Sequence, residues 1–116
     1  MATIFGKELR KLRVDRDENI NTMARKLGIS ISYLSAIEAG QRKIPSDMVD
    51  KIIAKYNLNK ERSEIMRQAE AESSKEIDID LSTVTVEQRK LVFALSRKLN
   101  DMSDEDCLDI LNKLKQ

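Results

Sequence analysis

Two short stretches with apolar residues at helical spacing are separated by only three residues, and this arrangement restricts the fold more than any other feature of the sequence. The apolar positions are Ile20, Met23, Ala24 and Leu27 in the first stretch, and Leu34 and Ile37 in the second. Between them, Gly28 can adopt the left-handed backbone that ends a helix, and Ser30 can cap the helix that follows. The sequence therefore predicts two short helices joined by a tight turn.

The rest of the chain also favours helices. It contains only three Gly and one Pro among 116 residues, and its apolar residues recur at helical spacing. We predict an all-α fold with five helices in residues 1–74 and two in residues 75–116. The predicted bounds are about 3–15, 20–27, 31–39, 47–56 with Ser46 as the cap, 59–74, 87–99 and 103–115. Cys107 falls in an apolar repeat with Ile110, Leu111 and Leu114, which predicts a small core residue.

Residues 77–86 have a different pattern, because apolar and polar residues alternate in "IDIDLSTVTV". Alternation of this kind with β-branched residues is typical of a strand or of a paired extended segment. A short extended linker is the alternative, since the sequence contains no second clear strand.

The composition argues against an enzyme and against a metal site. The chain has one Cys and no His, which excludes an intramolecular disulfide and zinc sites of the Cys/His type. Ser30, Ser32 and Ser35 therefore have no histidine that could activate a hydroxyl. Residues 78–83, "DIDLST", lack the glycine and the terminal glutamate of a calcium loop. We expect neither a metal nor a cofactor.

The net charge of +1 is distributed unevenly. Residues 1–56 hold 11 Lys and Arg against 7 Asp and Glu, whereas residues 57–116 hold 10 against 13. This asymmetry indicates a polyanion-binding module followed by a region that contacts no polyanion, and an ordinary mixed surface is the alternative. The N-terminus has no apolar run of signal-peptide length, and "LVFAL" at 91–95 is too short to span a bilayer. We therefore expect an intracellular, cytoplasmic protein without membrane contact.

The two helices around Gly28 have the order of a helix-turn-helix motif. If Leu34 and Ile37 face the core, four residues near the start of the second helix face outward: Ile31, Ser32, Ser35 and Ala36. This is the end that a recognition helix presents to the major groove. Serine hydroxyls can bond to many bases and apolar side chains can contact thymine methyls, so we expect modest specificity in each half-site.

Longer sequence marks support this interpretation. They are "FG" and "LRKLR" in the first helix, "MA..LGIS" around the second, and "SYLSAIEAG.R" in the third. With these marks, residues 5–56 resemble the Cro/CI (XRE) family of helix-turn-helix repressors. The resemblance implies a five-helix, lambda-repressor-like DNA-binding domain in residues 1–74, which binds operator DNA as a dimer through the helix at 31–39.

The resemblance also implies roles for individual residues. The side chains that would face base edges are Ile31, Ser32, Ser35 and Ala36. The side chains that would contact phosphate are Tyr33, Arg42 and Lys43, although Arg42 or Lys43 could instead reach a guanine. Arg13 would pair with Glu38, and this is favoured over a solvated Glu38 because an acid at a helix C-terminus is unfavourable without compensation.

One position departs from the family pattern. Members often begin the second helix with Gln, which braces the recognition helix and contacts the DNA backbone, whereas this chain has Ile20 there. The backbone contact is therefore assigned to the neighbouring Asn19 and Asn21.

Two functions remain open at this stage. The first is a dimeric repressor of phage or mobile-element type that binds a palindromic operator, with residues 75–116 as the dimerisation region. The second is an antitoxin-like protein, in which residues 75–116 bind a partner protein and the first domain autoregulates. Apolar stripes at 91–99 and 107–114 fit either role.

Overall fold

The computed structural model describes residues 2–115, which form two compact units. The first unit ends at Asp78 and the second begins at Ile79, slightly beyond the predicted boundary at 74/75. Met1 and Gln116, the ends of the two predicted domains, lie outside the described residues. All regular structure in residues 2–115 is helical, which confirms the predicted all-α fold.

Five helices build the first unit: α1 Ile4–Asp15, α2 Ile20–Leu27, α3 Ile31–Glu38, α4 Met48–Tyr56 and α5 Lys60–Ser73. The side chains of Thr3, Asn19, Ser30 and Asn59 each accept a hydrogen bond from the backbone N–H three residues further on. These caps satisfy donors that the helix itself leaves without a partner. Left-handed residues end two of the helices, Gly28 (φ 72°) after α2 and Asn57 (φ 49°) after α4.

The start of α4 differs from the prediction. Asp47, not Ser46, is the N-cap, and within residues 2–115 its side chain makes no capping hydrogen bond. The backbone of the preceding turn supplies an acceptor instead, because the N–H of Met48 donates to the carbonyl of Pro45 at 3.1 Å. The end of α3 also differs from the prediction: Ala39 is the C-cap, so α3 ends one residue earlier than expected.

The core of the first unit is formed by one face of every helix. Its buried apolar side chains are Phe5, Leu9, Leu12, Met23, Ala24, Leu27, Leu34, Ile37, Met48, Val49, Ile52, Tyr56, Met66 and Ala69. α1 packs mainly against α5, and α3 packs against both α1 and α2. Full burial of a large apolar side chain contributes about 1.5–3 kcal/mol. The first unit therefore has a stabilising core of its own, and α3 packs on this core.

The second unit consists of α6 Val86–Lys98, a 3-10 turn at Leu99–Asp101 and α7 Asp104–Leu114. Thr85 and Gln88 form a capping box at the start of α6, and Ser103 caps α7. Neither α6 nor α7 buries a side chain. Cys107 is only half-buried, so its prediction as a core residue is wrong. Most of the apolar repeat around it is also exposed, with Ile110 at 41%, Leu111 at 46% and Leu114 at 73%.

The alternating segment before α6 is not a strand. No β-strand occurs anywhere in the described part of the chain, so residues 77–81 match the alternative of an extended linker. The side chain of Asp80 accepts a hydrogen bond from the N–H of Ser82 at 2.9 Å, which turns the backbone and ends the extended run. Arg89 then donates to the carbonyl of Leu81 at 2.9 Å, which joins this turn to α6.

Candidate nucleic-acid interface

The turn between α2 and α3 is built by backbone hydrogen bonds around a left-handed glycine. The N–H of Gly28 donates to the carbonyl of Arg25 at 3.2 Å, and the N–H of Ile29 donates to that of Ala24 at 3.0 Å. At the start of α3, Ser30 Oγ accepts from the N–H of Tyr33 at 3.1 Å. This geometry ends α2 and begins α3 within three residues, as a helix-turn-helix requires.

α3 divides into a buried and an exposed side. Leu34 and Ile37 are fully buried, whereas Ile31 is 46% exposed. Ser32 and Ser35 are also exposed, and Ala36 is half-buried. We call Ile31, Ser32, Ser35 and Ala36 the reading face. The structure places these four predicted base-contacting residues together on an uncharged surface, with no packing role for the two serines.

A buried ion pair fixes α3 to α1. Arg13 Nη1 donates to Glu38 Oε2 at 2.6 Å, and Arg13 Nη2 donates to Glu38 Oε1 at 3.0 Å. The two side chains are only 9% and 8% exposed. Arg13 Nη1 also lies 3.3 Å from the sulfur of Met23 in α2. A bidentate pair of this kind is geometrically specific, so Arg13 contacts both helices of the motif and restrains their orientation.

A close approach of the α1 and α3 backbones reinforces the Arg13–Glu38 ion pair, and we call the two contacts together the clamp. The carbonyl of Glu38 accepts hydrogen bonds from both the N–H and the hydroxyl of Thr3, each at 3.0 Å. A Cβ at Gly6 would lie 2.3 Å from the same carbonyl oxygen. Only glycine fits at this crossing of α1 and α3, a role that sequence reasoning did not assign. The pair "FG" among the family marks was the available signal.

The loop after α3 carries the predicted phosphate contacts. We call residues 40–45 the basic loop. The guanidinium carbon of Arg42 lies 5.8 Å from the centre of the Tyr33 ring, which is half-buried against the core. Arg42 and Lys43 are both exposed. The loop therefore presents two positive charges beyond the C-terminal end of α3, with an aromatic ring beneath one of them.

Lys43 already has an anionic partner within the first unit. Its Nζ donates to Asp78 Oδ2 at 2.5 Å. This hydrogen bond, together with the negative charge of Asp78, raises the pKa of Lys43. The sequence analysis did not predict this ion pair, because 35 residues separate the two partners.

The two asparagines at the start of α2 differ in what they offer. Asn19 Oδ1 accepts from the N–H and the hydroxyl of Thr22, at 2.9 and 3.1 Å, so its side-chain oxygen is used as a cap. Asn21 is exposed and lines a shallow cleft together with Ile31. Arg25 lines the same cleft. Sequence reasoning missed Arg25, although its spacing of four residues from Asn21 puts both on one face of α2.

Comparison with known protein families matches residues 6–70 to the helix-turn-helix domain family. The chain belongs to this family. The match covers most of α1, all of α2 to α4 and most of α5, including the whole α2–turn–α3 motif. Helix-turn-helix domains bind DNA, so the first unit is a DNA-binding domain of a regulator type.

Neither the curated proteins nor the solved structures gave a match. Within residues 2–115, no group of acidic or Cys side chains is arranged to hold a metal ion. In the same residues, no helix is long and apolar enough to cross a membrane.

Proposed function

We propose that this helix-turn-helix protein is a sequence-specific transcriptional repressor of the Cro/CI (XRE) type, which binds a palindromic operator as a dimer. The observation that carries the proposal is the reading face: it is uncharged, three of its four residues are exposed, and it lies on a helix that the Arg13–Glu38 pair joins to α1. A regulator of this kind is typical of phages and mobile elements.

In this proposal the reading face enters the major groove and the basic residues around it bind phosphates. Ile31 and Ala36 contact thymine methyls, while the hydroxyls of Ser32 and Ser35 bond to base edges. Arg42, Lys43 and Tyr33 contact phosphates on one side, and Asn21, Asn19 and Arg25 do so on the other. Because the face has no bidentate side chain, each half-site is read weakly, and DNA shape and the second subunit supply further specificity.

The second unit supplies the dimer contact in this proposal. Its helices leave an apolar stripe exposed, with Leu91 at 66%, Leu95 at 43% and Leu99 at 54%. An exposed apolar stripe on a unit that buries no side chain within its described residues is expected to pack against another protein surface. The charges favour a second copy, because α6 carries an excess of basic residues and α7 an excess of acidic ones. Two copies related by a two-fold axis can therefore pair α6 of one with α7 of the other.

The test is a selection of DNA sequences by the full chain, followed by binding measurements at several salt concentrations. We expect a palindromic site whose half-sites lie about one helical turn apart, bound with an affinity that falls steeply as salt rises. Lys43→Ala should weaken binding to every sequence and reduce the salt slope by about one. Selected sequences without two-fold symmetry would contradict the dimeric operator.

A second variant separates base reading from phosphate binding. Ser35→Ala should lower affinity for the selected site by about five-fold, the effect of one lost hydrogen bond, and leave binding to mixed-sequence DNA unchanged. Gln68→Ala is the control, since this residue is exposed on α5, away from α3 in the sequence. An equal loss for both kinds of DNA would remove Ser35 from the reading face.

An antitoxin-like protein is the second candidate, and the exposed stripe of α6 favours it as well. In that case a different protein covers the second unit, and the isolated chain remains monomeric. Sedimentation of the purified chain distinguishes the two, because the repressor proposal requires a dimer without any added partner.

A further inference from the structure

The end of the first unit runs beside the basic loop. We call residues 74–78, which follow α5, the linker segment. Ser73, immediately before it, accepts a hydrogen bond from the N–H of Phe5 at 2.9 Å and so holds the end of α5 on the core. Two cavities of about 480 and 320 Å³ are each lined by both the linker segment and the basic loop or its flank. The two segments are therefore neighbours in the folded unit.

Charge is complementary where these two segments meet. The ammonium of Lys43 donates to the carboxylate of Asp78 at 2.5 Å, and the negative charge of Glu76 acts on Lys43 in the same direction. Both partners of the ion pair remain accessible, since the side chain of Lys43 is 52% exposed and that of Asp78 is 70% exposed. A carboxylate thus bonds to the ammonium that the proposed function assigns to a DNA phosphate.

We propose that Asp78 competes with DNA phosphate for Lys43, so that the linker segment restrains DNA binding until this contact is exchanged. The inference rests on the proposed function, because it takes Lys43 as a phosphate contact. An exposed ion pair is weak and screened by salt, so a polyanion can displace it. Asp78 therefore lowers the DNA affinity without abolishing it.

The experiment measures binding of the full chain to a fluorescent mixed-sequence duplex at low salt, where phosphate contacts dominate. Asp78→Asn is compared with Asp80→Asn, which removes the same charge two residues further on, where the carboxylate bonds to Ser82. We expect Asp78→Asn to bind about two- to five-fold more tightly than Asp80→Asn, the range of an exposed ion pair. In a Lys43→Gln background this gain in affinity should vanish, because the ammonium for which Asp78 and DNA phosphate compete is then absent.

Equal affinities of Asp78→Asn and Asp80→Asn, or a gain that persists in Lys43→Gln, would overturn the proposal. A second measurement follows the pKa of the Lys43 side chain by NMR in the free protein. It should fall in Asp78→Asn and stay unchanged in Asp80→Asn, and a pKa that stays unchanged in both would show that the ion pair does not form. If the ion pair forms but the wild-type chain binds no duplex, the proposed function fails, and this inference fails with it for a distinguishable reason.

Discussion

The two units use the same local signals for their helices but differ in what those helices bury. Ser30 and Ser103 cap α3 and α7 in the same way, each accepting from the backbone N–H three residues on. Yet α3 buries Leu34 and Ile37 completely, whereas in α7 Leu114 is 73% exposed. Caps and apolar spacing therefore specify that a helix forms, but a helix in water is stabilised mainly by what covers its apolar face.

The two units should differ most in how well they fold when each is produced as a separate fragment. Residues 1–78 should unfold cooperatively, because the whole core lies within them. Residues 79–116 should contain little helix when dilute, since α6 and α7 have 13 and 11 residues and isolated helices shorter than about 12–15 residues are marginal. Circular dichroism measures the helix content of each fragment and the cooperativity of its unfolding. A dilute fragment 79–116 that is fully helical and monomeric would break the comparison.

Within the first unit, loss of one partner of the buried ion pair should have the largest effect. Glu38→Ala leaves the charge of Arg13 buried without compensation and should lower the free energy of unfolding by about 3–5 kcal/mol, measured with urea. Asp50→Ala is the matched control. Its partner Arg67 lies 2.9 Å away but both side chains are exposed, so the cost should stay below about 1 kcal/mol.

The second unit should show its largest effect in association rather than in stability. Leu95→Ser puts a polar group in the apolar stripe and should weaken the dimer at least about tenfold, given about 1.5–3 kcal/mol for each buried Leu. Phe93→Ser is the control, because two residues along a helix put Phe93 on nearly the opposite face although it is also 51% exposed. Sedimentation equilibrium measures both. Equal losses would mean that the stripe is not the contact.

The smallest difference concerns the two serine caps themselves. Ser30→Ala should lower the free energy of unfolding of the first unit by about 1 kcal/mol, the usual cost of a lost cap. Ser103→Ala should leave this transition unchanged and reduce helix content only in the second unit. Urea unfolding followed by circular dichroism separates the two effects, and a loss of stability of the first unit in Ser103→Ala would contradict the division of the chain.

The sequence allowed the helices and much of the candidate site to be predicted because their signals are local. Gly28 and Ser30 each act within a few residues, so the turn and the exposed serines of α3 followed from spacing alone. Contacts between distant residues were predictable only where a family pattern linked them, as for Arg13 and Glu38. Asp78 and Lys43 had no such pattern, and the family mark "FG" pointed to Gly6 without indicating the backbone that Gly6 contacts.

Two predictions failed for reasons that local signals do not contain. Ser46 was expected to cap α4, but the carbonyl of Pro45 satisfies the first N–H and the chain starts the helix later. Cys107 was expected in a core, but its apolar repeat lies on α7, a helix that buries no side chain. Spacing identifies an apolar face, but it does not say what will cover that face.

The reading face and the clamp behind it are supported by different side chains. Arg13, Glu38 and the buried residues of α3 hold the helix in position, whereas Ser32 and Ser35 are exposed and pack against nothing in the core. Substitutions at the two serines should therefore leave the domain folded while they change what the helix contacts. Under the proposed function, such a domain could be redirected to a new DNA sequence by mutation or by engineering, one surface residue at a time.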